Sequence, residues 1–99
     1  MVKRKITIKL SAAKRIAEIS WYVEFMGMAK TAKKFSDSVY DFIETLSDSR
    51  KSYRACVDPI RSKLGLKCVN YNKKYTVAFI ETGTEIVVCE FISSKTIWW

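Results

Sequence analysis

The stretch Lys73–Ile92, KKYTVAFIETGTEIVVCEFI, narrows the fold more than any other part of the chain. Tyr75–Ile80 and Ile86–Ile92 are dense in β-branched and aromatic residues, with Thr82-Gly83 between them where a turn belongs. Glycine reaches positive φ at little steric cost, so the pair predicts a tight β-hairpin. With Thr82-Gly83 as the loop, Phe79 stands opposite Ile86, Val77 opposite Val88 and Tyr75 opposite Glu90. Tyr75, Val77, Phe79, Ile86 and Val88 then share one face, while Thr76, Ala78, Ile80, Val87, Cys89 and Phe91 share the other. Both faces are apolar. Such strands are either central and covered twice, or covered once and offered to a partner.

The rest of the chain supplies the cover for one face. Lys3–Leu10 alternates, with Ile6, Ile8 and Leu10 on one side and lysines and Thr7 on the other, as in a strand with one buried face. Ser11 is a good N-cap for a first helix over 12–25. Its apolar stripe is Ala12, Ile16, Ile19, Val23 and Met26; Trp21, Tyr22 and Phe25 fall beside or outside it. Gly27 is a stop signal. A second helix over 29–46 carries the stripe Ala32, Phe35, Val39, Phe42, Ile43 and Leu46. Residues 47–64 have no period, but Asp58-Pro59 marks a turn and a short helical turn fits there. Gly65 opens a strand over 66–71, and Asn72-Lys73 is a turn into the hairpin. The pattern predicts one α+β domain over residues 1–99. It runs strand–helix–helix–strand–strand–strand, with an αα-hairpin packed on a small, mostly antiparallel twisted sheet.

Charge points to the partner class. The formal net charge is +8, with 18 basic and 10 acidic residues. Such a balance suits nucleic acid, an acidic protein or an anionic surface. Basic residues crowd Met1–Arg15 and Arg50–Lys74, and acids gather on the second helix at Asp37, Asp41, Glu44 and Asp48. Three widely spaced cysteines, Cys56, Cys68 and Cys89, argue against a disulfide framework and read as small buried hydrophobes in a reducing compartment. No run is apolar and long enough to cross a bilayer, and the expected location is cytoplasmic.

The sequence contains no histidine, which excludes Ser-His and Cys-His catalysis. No CxxC pair or phosphate-cradling glycine loop is present, so neither a metal nor another cofactor is expected. Paired acids on the second helix read as a solvated face. Glu90, aligned with the apolar Ile86/Val88/Ile92 row, must lie near the sheet end or pair with a basic residue. Lys, Arg and Tyr are left, able to bind phosphate or stabilise its charge. The terminal Trp98-Trp99 either caps the core or serves as a contact anchor.

The ordered set of segments resembles the RelE/ParE superfamily of bacterial type II toxin–antitoxin toxins. Ile8-Lys9-Leu10-Ser11 with Ile16–Val23 is similar to the family's strand, serine and acidic helix. Ala32-Lys33-Lys34-Phe35 resembles the start of its second helix, Gly65-Leu66-Lys67 its G-[LI]-R strand, and Tyr75–Phe79 its Y-R-[IV]-x-[YF] strand. Val87–Ile92 resembles the strand that follows. The resemblance implies a toxin neutralised by a small antitoxin whose C-terminal segment wraps it. RelE-like members cleave mRNA on the ribosome with arginines, lysines and a late tyrosine; ParE-like members bind DNA gyrase. Here Thr76 replaces the strand arginine, Lys95 alone follows the last strand, and the late tyrosine is absent. The resemblance therefore favours a non-enzymatic ParE-like toxin. A substituted RelE-like endoribonuclease, or a non-toxic basic binding module, is the alternative. The expected antitoxin surface is Ile80, Val87, Cys89 and Phe91 with Arg50, Arg54 and Arg61. The expected target contacts are Lys67, Lys95, Trp98 and Trp99, with gyrase or the ribosome and its mRNA as target. A homodimer is an open alternative.

Overall fold

The computed structural model describes residues 4–48 and 53–96. Strand β1 (Lys5–Ile8) leads into α1 (Leu10–Phe25) and α2 (Ala29–Thr45). A connecting segment holds the short helix α3 (Pro59–Lys63). Strands β2 (Lys67–Tyr71), β3 (Tyr75–Glu81) and β4 (Glu85–Ser93) follow, with a 3₁₀ turn over Ser94–Thr96. The sheet order is β1-β4-β3-β2. Strands β2, β3 and β4 are antiparallel, and β1 runs parallel to β4. This is the expected α+β arrangement.

The helix pair seats on one sheet face because its stripes carry the right period. Ala12 and Ile16 of α1, Val39 and Ile43 of α2, and Leu46 beyond it are buried against Val77, Phe79, Ile86, Val88 and Phe91. Phe35, Tyr71 and Tyr75 complete this core as rings around Phe91, and Phe42 sits edge-on to Tyr71. Each such side chain contributes roughly 1.5–3 kcal/mol on leaving water. Arg4 ties three elements together at the sheet's corner. Its guanidinium contacts Glu81 at 2.5 Å and donates to the Asp48 carbonyl at 2.9 Å. Its backbone N–H donates to Ser47 O.

Turns follow local chemistry. Gly27, at φ 84°, ends α1, with its N–H bonded to Glu24 O and that of Met28 to Val23 O. Asp58 caps α3 by accepting from the N–H groups of Ile60 and Arg61, and Pro59 begins the helix. Asn72 and Lys73 both take positive φ, forming the expected turn.

Three expectations need correction. Helix α1 starts at Leu10, its N-cap Lys9 makes no side-chain cap, and Ser11 instead donates to Cys89 O at 3.2 Å. Leu10, expected to point inward with Ile6 and Ile8, is 81% exposed because the chain has already become helical there.

The second correction concerns the hairpin. Thr82 N–H donates to Glu85 O, and Thr82 Oγ1 accepts from the N–H groups of Thr84 and Glu85. The tip is thus Gly83-Thr84, closed by the Thr82 hydroxyl, and Gly83 is not among the positive-φ residues. Phe79 pairs with Val88, and a bulge then shifts the register so that Ala78 pairs with Glu90 and Val77 with Phe91. An inserted residue reverses the facing of everything after it. Tyr75, Val77, Phe79, Ile86 and Val88 share the helix face as expected. Phe91 joins them, 1% exposed, instead of facing out.

The third correction is a disulfide between Cys56 and Cys68, with Cα atoms 4.9 Å apart. An isolated antiparallel bridge, Ala55 to Lys67, lays the connecting segment along β2 and brings the two thiols into reach. Only Cys89 of the three cysteines is free.

Candidate protein-binding face

The second sheet face is divided. Around Cys68 and Ala78 it is roofed by the connecting segment: Cys56 and Leu66 bury themselves there, with Cys89 and Ile92 packed at the side. This cover is held electrostatically as well as by the disulfide. Arg61 Nε donates to Glu90 at 2.6 Å and its Nη2 to the other Glu90 oxygen at 3.3 Å, while Nη1 contacts Asp58 at 3.2 Å. The Glu90 hydrogen bond raises the Arg61 pKa above its ordinary value, with burial opposing. The bulge explains why Glu90 can be there at all: it turns the carboxylate off the helix face and toward α3.

Beyond that roof nothing among the described residues closes the face. Thr7, Val87 and Ile80 stand side by side on β1, β4 and β3. Ile80 is 36% exposed and Val87 half-buried. Thr7 donates to Glu85 at 3.0 Å, which adds a polar margin. An apolar row with a polar rim has the chemistry of a protein-contact surface.

The anticipated antitoxin residues are therefore only partly gathered. Ile80 and Val87 are neighbours on the open row. Cys89 occupies the bulge, half-buried, its thiol 3.5 Å from Val87 O. Phe91 is withdrawn into the core and offers no side chain to a partner. Arg61 is committed to Glu90 and Asp58. Arg54 is exposed, and its carbonyl accepts from Cys68 N–H in the segment's bridge to β2. Arg50 lies outside the described residues, as do Trp98 and Trp99 of the target set. Lys67 pairs with Phe79, whereas Lys95 follows Ser93, which pairs with Tyr75. Those positions lie about 13 Å apart along β3, so the two lysines rise from opposite ends of that strand.

A second surface escaped the sequence reading. Trp21, Tyr22, Phe25, Met26 and Met28 are 65%, 66%, 87%, 56% and 49% exposed at the far end of the helix pair. The stripe placed Trp21, Tyr22 and Phe25 off the core side, and nothing among the described residues covers them. Tyr53 sits edge-on to Phe79 with centroids 5.3 Å apart, and burial raises its pKa. Among the described residues no helix is long and apolar enough to cross a membrane.

No protein-family model and no curated protein matches the chain. A solved structure does: a chain of the chromosomal ParDE toxin–antitoxin system from P. aeruginosa. It is 14% identical, with a TM-score of 0.74 over 92% of this chain and 96% of that one. Such low identity speaks to architecture alone. The chain has the fold of that ParDE toxin–antitoxin chain, the architecture that its RelE/ParE-like motifs imply.

Proposed function

We propose that this chain is the toxin of a type II toxin–antitoxin pair, ParE-like, held inactive by a small antitoxin and acting by binding a protein such as DNA gyrase. The half-open second face carries this reading: Ile80 and Val87, with Thr7 beside them, form a row that no other element among the described residues covers fully. The ParDE-like fold supports the same reading. A binding role is favoured over RNA cleavage by the place of Thr76. It occupies the position of the family's strand arginine, yet it is fully buried and shares a 2.9 Å hydrogen bond with Ser94. A side chain sealed there cannot reach a phosphodiester.

Expression in a bacterial host, alone and together with the product of any short acidic reading frame found beside its gene, tests the proposal. Growth arrest relieved by that product, accompanied by a DNA-damage response and altered plasmid supercoiling, is expected. Arrest with immediate loss of translation would assign the RelE-like reading instead. Normal growth would leave a binding module without toxicity.

A further inference from the structure

Helices α1 and α2 are joined by the short turn Met26-Gly27-Met28. The exposed rings of Trp21, Tyr22 and Phe25 gather at this end with both methionines. These rings are not strays from the core stripe. Leu10, Lys14, Trp21 and Phe25 recur at spacings of four, seven and four, so one side of α1 carries them all, opposite buried Ala12 and Ile16. Helix α1 is thus apolar on two faces, and among the described residues the core uses one of them.

The start of α2 departs from what helix stability favours. Its N-cap is Met28, with no side-chain cap, and its first turn holds no acid. Ser, Thr, Asp or Asn would satisfy that end better. Lys30, Lys33 and Lys34 stand there instead, exposed, against the positive end of the helix dipole. No ion pair among the described residues engages them. With Lys14 on the outer stripe, the lysines outnumber the carboxylates nearby, Glu18 and Glu24 of α1. Asp37, Asp41 and Glu44 lie further along α2. The helix pair is therefore polarised, apolar and basic at its turn and acidic toward its other end.

We propose that this end of the helix pair docks on an anionic lipid surface. Trp21, Tyr22 and Phe25 enter the boundary between headgroups and acyl chains, the level at which Trp and Tyr rings are favoured. Lys30, Lys33 and Lys34 reach the lipid phosphates while their stems lie along the apolar end. A helix-hairpin turn projects, whereas small-molecule sites are concave. A protein partner would have to bring a pocket matched to these rings; a bilayer interface yields around them. A second copy of the chain would set one group of lysines against another, each copy with a net +8. The contact is separate from the second sheet face, which lies across the sheet from the helices, and it does not depend on the toxin reading.

Flotation of the full chain with vesicles tests this, using phosphatidylcholine alone and phosphatidylcholine with about a quarter phosphatidylglycerol. Binding to the anionic vesicles is expected, weakening as salt is added. The Trp21→Ser, Phe25→Ser double variant should bind at least about tenfold more weakly. Lys30→Gln, Lys33→Gln and Lys34→Gln should each cost about fivefold. In a Trp98→Phe, Trp99→Phe background Trp21 is the one tryptophan left, and its emission should shift to the blue on the anionic vesicles. Should the double variant lose its fold, the lysine series and the Trp21 emission decide. Absence of binding overturns the proposal, and equal binding to both vesicle types overturns its anionic surface. Binding that the folded double variant retains in full overturns it too, tracing attachment to net charge elsewhere on the chain. Self-association that the double variant relieves, with no vesicle binding, gives this end to a second copy instead.

Discussion

The two faces of the sheet are built on opposite principles. One is sealed by helices whose apolar stripes match the sheet, with Phe79, Phe91, Ile16, Ile43 and Leu46 all under 2% exposed. The other is roofed over part of its area by an irregular segment and, among the described residues, left open over the rest. The first holds itself shut by area; the second joins a small buried cluster around Leu66 and Ala78 to one disulfide and one arginine-centred ion cluster. A face held by a few discrete bonds can be left incomplete without unfolding the domain, and that incompleteness is what a partner would use.

Phe91 tests the sealed face hardest. Phe91→Ala removes the ring around which Phe35, Tyr71 and Tyr75 are arranged, and should cost about 3–5 kcal/mol. In a domain of this size that lowers Tm by on the order of 15 °C or more. A loss below about 1 kcal/mol in chemical denaturation would place Phe91 on the open face and dissolve the contrast.

The disulfide comes next. Cys56 and Cys68 are 12 residues apart, and closing a loop near that length stabilises by about 3 kcal/mol in the chain-entropy account. The Cys56→Ser, Cys68→Ser double variant should lose about that much. Exchange protection should fall first around Leu66 and Ala78, while the amides of α2 keep theirs until global unfolding. Equal loss on both faces would mean that they fold as one unit.

How much of this contrast could be read beforehand follows from the same physics. The sealed face was legible because helix and strand periods repeat: Ala12, Ile16, Val39, Ile43, Val77, Phe79, Ile86 and Val88 all lie where the pattern puts them. The other face was obscured by one residue. A bulge at Cys89 has no compositional mark, so an uninterrupted register carried Phe91 outward and Glu90 onto the apolar face. The misplaced carboxylate was itself the signal, since a charge set among Ile86, Val88 and Ile92 is better explained by a shifted strand. The disulfide was hidden for another reason. Its pairing depends on the bridge between Ala55 and Lys67, in a segment with no period, and on a turn through Gly65 at φ 75°. Alternation alone placed Ile80 and Val87 together on the second face, where they stand side by side.

Arg61 sharpens the contrast at smaller scale. Arg61→Ala leaves Glu90 and Asp58 without their shared cation in a partly solvated site, and should cost about 1 kcal/mol. Its effect should be larger on protection of α3 than on the global transition. A pKa raised by the Glu90 hydrogen bond keeps Arg61 charged throughout the stable pH range, so alkali does not release the roof.

Alkali acts on the sealed face instead. Tyr53, held against Phe79, has its pKa raised by burial above the ordinary 10.0. A group whose folded pKa is raised contributes stability that is complete below the unfolded value and is lost as pH rises through the folded one. Stability should therefore decline above about pH 10, and Tyr53→Phe should flatten that decline. A Tyr53→Phe variant with the same alkaline slope as the parent chain would show that Tyr53 is not the group responsible.

The smallest stability change should accompany the largest change in binding. Val87→Lys and Ile80→Lys place a charge on the open row, where Ile80 is exposed and Val87 half-buried and the ammonium can reach water. Each should alter unfolding free energy by less than about 0.5 kcal/mol. If the row is a contact surface, the same substitutions desolvate an unpaired charge on binding and should abolish copurification with the antitoxin. The two outcomes separate the faces cleanly, because a residue that carries packing cannot be charged without cost to the fold, whereas a residue kept bare for a partner can. A large loss of stability in Val87→Lys would show that this chain closes its second face after all, and the argument for a docked antitoxin there would go with it.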